Sequence, residues 1–298
     1  MKTAIVFHGL TGVIGKYGQG NPVDLQRPFD SFKKNILDCN PNVDVFAHSW
    51  STEQEEKAVR LFKPVSYKFE TQKIFTNEYS VSGYKYRGPE RADSEGDYPD
   101  WWWQNALRFH SMYSRWYSAK QSIKLKQEHE KEYKFKYDMT MFVRFDLHYK
   151  KEFIFENFDP DKIYVNACPG VEGAEGFADL YVLSSSQTAD TIFGDGGLFD
   201  YIEENTNFVH AHQHNHYHLR KIIEVKNLLD KVIRQFPPRI SDDTNSLVYT
   251  DANFDRAGNR FDGQGKHPLT KYDGCSSVKV EDKIGSTYGH HQNFKLEK

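Results

Sequence analysis

The segment Arg144-Phe145-Asp146-Leu147-His148 places a basic, an acidic and an imidazole side chain at the end of the apolar run 137–149, YDMTMFVRFDLHY. Read as one strand, the run puts Asp146 and His148 on a single face, two residues apart. That spacing can grip a divalent ion. Mg²⁺ or Mn²⁺ held by the carboxylate and the imidazole would bridge the diphosphate of a nucleotide-activated substrate and neutralise charge on the leaving group. The competing reading is a strand-end ion pair between Arg144 and Asp146, which needs no function. A second concentration of chemistry is the alternating tract His210, His212, His214, His216 and His218. On a strand these rings form one imidazole face, with His210 or His212 available as a further metal ligand. If a helix begins near His214, only His214 and His218 remain together. A structural role or incidental metal affinity is the competing reading of the tract, because a histidine-rich composition is by itself only a compositional signal.

The elements that must position these groups follow from periodicity. Residues 2–10, KTAIVFHGL, carry a continuous apolar run and read as a buried first strand. Gly9, Gly12, Gly15, Gly18 and Gly20, with Lys16 among them, form a loop at its carboxyl end, where open α/β sheets bind their ligands. A helix over 29–37, a strand over 43–50, a helix over 53–62 and a strand over 65–70 complete a βαβαβ alternation. Glycines and prolines break all periodicity over 77–100. Residues 101–132 then repeat large apolar side chains at helical intervals and end in a charged run, predicting a long helix whose last turns are solvated. Further strands are expected at 137–149, 163–167 and 180–184, and helices at 186–193, 197–205 and 218–235. The fold class is therefore α/β, a Rossmann-type, mostly parallel sheet flanked by helices. One domain covers 1–236, with 77–132 as an inserted loop and long helix, and 237–298 forms a loosely structured tail that closes on or near the site.

Composition narrows the function classes. The chain of 298 residues carries a net charge of −3, so no global basic field draws it to nucleic acid or anionic lipid, and such a partner would need a local basic face. Cys39, Cys168 and Cys275 are odd in number, widely spaced and without a CxxC pair, which argues against a disulfide framework or zinc knuckle and fits a reducing cytoplasm. Neither a signal peptide nor a membrane span is apparent. Aromatic residues make up 15% of the chain. Tyr84, Tyr86, Arg87, Arg91, Trp101, Trp102, Trp103, Arg108, Arg115 and Trp116 form a local cluster able to contact phosphates, stack on sugars or wedge out a flipped base.

Taken in order, KTAIVFHGL with its glycine-rich loop, VDVFAHSW, the helix with Ser118, Gln121, Ser122 and Lys124, YDMTMFVRFDL, and FADLYVLSSSQTAD resemble the GT-A-like glycosyltransferases of tailed phages, giant viruses and bacterial surface-polysaccharide loci. The resemblance spans 2–205. Its first motif, FHGLTG followed by a lysine–glycine loop, is most similar to the versions in T-even-like phages, some of which modify hydroxymethylcytosine in their own DNA.

The resemblance implies a UDP-sugar donor, a Mn²⁺ or Mg²⁺ ion, and hexosyl or pentosyl transfer. It implies that His8, Gly9, Leu10, Thr11 and Gly12 receive the nucleobase and ribose, with small residues permitting close backbone approach. Lys16 would reach phosphate, Ser49 would hydrogen-bond the base and Trp50 would stack on it. Gln121 and Lys124, three apart on one helix, would point at the donor together with Arg144, although Lys124 reads equally well as one solvated lysine in a charged run. Asp179 aligns with the acid that faces the acceptor and would act as general base, with Glu175 and Glu172 as competitors. Leu180 follows that Asp where such proteins carry Gln. The acceptor is expected to be hydroxymethylcytosine or its glycosylated form in duplex DNA, or alternatively a lipopolysaccharide or capsule sugar. A nucleotidyltransferase and a nucleotide- or carbohydrate-binding module without turnover are the readings from other classes. No membrane or obligate protein partner is expected, and the expected location is the cytoplasm.

Overall fold

A computed structural model of the protein describes residues 1–11, 25–73, 75, 80–81, 84–85, 100–149, 151–166, 177–204, 214–235 and 248–250. The apolar run near the start forms β1 (Thr3–Gly9), and its side chains divide between the two sides of the sheet. Ala4 and Val6 enter one hydrophobic core, while Ile5 and Phe7 enter the other. This is the alternation any strand imposes, and because helices cover both faces the whole run is apolar. On one side lie α1 (Gln26–Asn35) and α2 (Glu55–Phe62), whose Phe32 and Phe62 meet Phe7 edge-on. On the other side lie α3 (Asp100–Tyr133), α4 (Ser186–Phe193), α5 (Leu198–Glu204) and α6 (His214–Val225).

The remaining strands of the main sheet are β2 (Val43–Ser49), β3 (Ser66–Phe69), β6 (Met139–Arg144), β8 (Ile163–Asn166), β9 (Ala178–Ser185) and β10 (Val232–Gln235). They lie in the order β10-β8-β9-β6-β1-β2-β3. β9 is antiparallel to both of its neighbours, and every other pairing is parallel. A short hairpin joins β4 (Ser80–Val81) to β5 (Tyr84–Lys85). β7 (Leu147–Tyr149) pairs with β11 (Val248–Thr250), so one segment of the expected tail packs on the domain.

Three expectations are corrected. The run over 137–149 is two strands rather than one, because a turn at Phe145-Asp146 separates β6 from β7. The helix expected over 218–235 is α6 followed by β10; Asn227 takes a left-handed φ of 57° that ends the helix, and Val232-Ile233 continues as a strand. The last turns of the long helix are not uniformly solvated. Ser114, Ser118, Ser122, Lys126 and Glu130 recur every four residues and are all buried against the sheet side. The inward stripe of α3 is thus polar, and each member has a partner. Lys126 contacts Ser186 Oγ, Glu130 and Asp190, while Glu130 accepts from the Tyr137 backbone N–H at 3.0 Å and from Lys136 at 2.7 Å. This network locks the end of α3 to the starts of β6 and α4.

Candidate functional site

Parallel register brings the ends of three strands into line. His8 of β1 stands opposite both His48 of β2 and Arg144 of β6, and Gly9 stands opposite Ser49. Because β9 runs the other way and Tyr181 pairs with Val143, its first residues, Ala178 and Asp179, begin at the same end of the sheet. Residues far apart in the chain therefore converge at the carboxyl ends of β1, β2 and β6.

At Gly9 the backbone adopts φ 97°, a conformation open to glycine and strained for other residues. A buried relay holds it there. The Gly9 N–H donates to Ser118 Oγ at 2.8 Å, Ser118 Oγ lies 2.8 Å from His48 Nδ1, and His48 Nε2 lies 3.0 Å from Glu70 Oε1. A carboxylate only accepts, so Nε2 carries the proton, Nδ1 accepts, and the Ser118 hydroxyl donates to it while receiving Gly9. Burial lowers the His48 imidazole to about 4, against the opposing pull of Glu70, which keeps it neutral. Burial works to raise Glu70, but hydrogen bonds from Lys68 and His48 outweigh it and bring its carboxyl below the ordinary range. Neither His48 nor Ser118 has any exposed surface.

The loop after β1 is tied to the loop after β2 by short hydroxyl side chains. Thr11 N–H donates to Ser51 Oγ at 3.0 Å, the Thr11 and Ser49 hydroxyls are 3.2 Å apart, and Ser51 N–H donates to Ser49 Oγ at 3.1 Å. Ser49, expected to address a base, is fully buried and braces these loops instead. His8 is buried with its ring stacked on Phe142, centroids 4.1 Å apart, so its backbone rather than its imidazole lies at the strand end. Leu10 is exposed beside it.

Trp50 is 5% exposed. Its indole stacks on Tyr117 with centroids 5.4 Å apart, His48 and Phe75 meet it edge-on, and Nε1 donates to Ser114 O at 3.1 Å. The ring expected to stack on a base is thus already packed by protein. Gln121 is half-buried on α3. Lys124 points to Asp195, at 3.4 Å, beside Lys120, which holds Asp200 at 2.5 Å; this draws Lys124 toward the α4–α5 connection. Trp116, from the arginine–aromatic cluster, is also core, stacked on Phe193 with Arg115 over its ring.

Arg144 and Asp146 form a two-pronged pair. Asp146 Oδ1 accepts from Nε at 2.7 Å and Oδ2 accepts from Nη2. Asp146 is buried, and its negative charge adds to burial in pushing the Tyr149 hydroxyl upward. His148 lies beyond the turn on β7, opposite Tyr249. Asp146 and His148 are therefore not successive same-face residues of one strand, and both oxygens of Asp146 are engaged by Arg144. Among the described residues no group of three histidine, cysteine, aspartate or glutamate side chains could hold a metal ion. The divalent ion implied by the resemblance does not fit this arrangement.

Gly12, Lys16, Glu172, Glu175, His210 and His212 lie outside the described residues. The helix starting at His214 leaves His214 and His218 one turn apart, with His218 buried. Sequence reasoning missed Glu70, Ser51 and the relay role of Ser118. The only available signal was the four-residue serine spacing of 114, 118 and 122. Among the described residues no helix is long and apolar enough to cross a membrane. In comparisons with known proteins, no protein-family model matches the chain, and no curated protein matches it.

Proposed function

We propose that this chain is a GT-A-like glycosyltransferase that takes its sugar from a nucleoside-diphosphate donor such as a UDP-sugar and passes it to hydroxymethylcytosine, or its glycosylated form, in DNA. One observation carries the reading: Gly9, Ser49, Arg144 and the first residues of β9 come together at the carboxyl ends of the central parallel strands, where open α/β sheets bind nucleotides. The sheet order, with one reversed strand between parallel neighbours, is in keeping with a GT-A-like fold.

The chemistry follows from that placement. The left-handed Gly9 lets the donor approach the backbone closely, the Arg144 guanidinium meets diphosphate charge, and the acceptor hydroxyl loses its proton to Asp179 as it attacks the anomeric carbon. The bond from sugar to phosphate breaks and the nucleoside diphosphate leaves. The net charge of −3 requires any DNA contact to come from a local patch and to weaken with salt.

The test is to incubate the full chain with UDP- and GDP-sugars, in the presence of Mg²⁺ or Mn²⁺, and duplex DNA containing hydroxymethylcytosine or its glycosylated form. The DNA is then digested to nucleosides and weighed by mass spectrometry. An added hexose or pentose supports the reading. If DNA gains no mass while a soluble glycan is extended, the acceptor is a surface polysaccharide; if nothing is extended although nucleotide binds, the chain is a binding module.

A further inference from the structure

We infer that Asp146 is a positioning residue for Arg144 rather than a metal ligand, and that the site binds nucleoside diphosphates without a divalent ion. The inference rests on the nucleotide-sugar reading above and departs from the metal chemistry expected there.

The geometry around the pair carries it. Arg144 and Asp146 flank Phe145, which is 1% exposed and stacks on Phe7 with centroids 4.8 Å apart while meeting Phe62 edge-on. This anchored ring fixes the turn, so the two flanking side chains meet as a built pair and not by chance surface contact. Asp146 uses one oxygen on Nε and the other on Nη2, a planar fork matched to a carboxylate. A divalent ion at Asp146 would have to displace two charge-assisted bonds and would stand beside a guanidinium that is always protonated. His148, the other expected ligand, sits across the turn on a strand paired to β11.

Arg144 occupies the register position opposite His8, where the resemblance puts the donor. Guanidinium is the side chain best matched to phosphate oxygens, and holding it by Nε and Nη2 fixes the plane of its fork. Asp146 thereby orients the cation that meets the diphosphate.

Calorimetric titration of the full chain with UDP and with GDP, in EDTA and in excess Mg²⁺ or Mn²⁺, tests this directly. The expected result is comparable affinity in both arms. Asp146→Asn and Asp146→Ala, checked for folding by near-ultraviolet circular dichroism, should each weaken nucleotide binding about tenfold or more, a loss that added metal does not restore. Arg144→Lys, which keeps the charge but loses the fork, should show the same loss. If the Ala variant does not fold, the Asn variant and Arg144→Lys carry the test. Binding that appears only with metal, or an Asp146→Asn variant with unchanged affinity in EDTA, overturns the inference. If neither nucleotide binds in any arm, the nucleotide-sugar reading itself fails, and the inference falls with it.

Discussion

Ser118 Oγ stands 2.8 Å from His48 Nδ1, joining the middle of the long helix α3 to the end of strand β2. Through the same oxygen the contact extends to Gly9 N–H, and through the other imidazole nitrogen to Glu70. Four segments are thereby held in one orientation at the carboxyl ends of the strands.

Removing the centre of this relay should loosen the β1 loop. Ser118→Ala leaves the Gly9 N–H and His48 Nδ1 without their buried partner, which costs about 1–3 kcal/mol of stability. UDP affinity should fall with it, while Ser118→Thr, which keeps the hydroxyl, should recover part of the loss. Urea melts and nucleotide titrations on both variants check this, and full UDP affinity in Ser118→Ala would show that the relay does not shape the donor site.

Acid should weaken the fold through His48. Its folded-state value is lowered to about 4, below that of the unfolded chain, so its neutral form contributes stability that is present above about pH 6.5 and lost as the pH falls toward 4. The loss across that window should be on the order of 2–3 kcal/mol. Glu70, also lowered, loses its contribution in the same direction as the pH falls through its folded value. Denaturant midpoints measured through this range should slope less steeply in His48→Gln, and an unchanged slope would exclude His48 as the source.

Trp50 should behave as a core residue. Trp50→Phe loses the bond to Ser114 O and should cost about 1–2 kcal/mol, whereas Trp50→Ala should cost about 3–5 kcal/mol. UDP affinity in Trp50→Phe should remain near that of the parent. A fall of tenfold without loss of stability would return the ring to a base-stacking role.

The buried ion network predicts an asymmetry. Lys126→Met leaves the Glu130 and Asp190 carboxylates short of a counter-ion and should destabilise by about 3–5 kcal/mol, while Lys126→Met combined with Glu130→Gln should recover part of it. Thermal melts of the single and double variants decide whether the charges are coupled; equal melting temperatures would show that they are not.

Asp179→Asn should bind UDP as the parent does and lose sugar transfer by about 10²-fold or more. Unchanged transfer rates would move the base role to Glu175 or Glu172.

The sequence by itself determined the parts that depend on local periodicity. The continuous apolar run 3–7 could only be a strand buried on both faces, and Gly9 after it marked where that strand stops. It also placed His8, Ser49, Arg144 and Asp179 at strand ends, since strand ends are visible as breaks in apolar runs. What those side chains touch was decided by tertiary structure. Nothing in the spacing of Gly9, His48, Glu70 and Ser118 announces that they form one chain of hydrogen bonds, because register between strands and the docking of α3 set those distances. For the same reason Lys126 and Glu130 read as a solvated charged run yet lie buried: their partners Ser186 and Asp190 are supplied by an element some sixty residues later. Asp146 could be read as a ligand or as an ion-pair partner from sequence alone, and the turn that Phe145 anchors into the core settled it on Arg144.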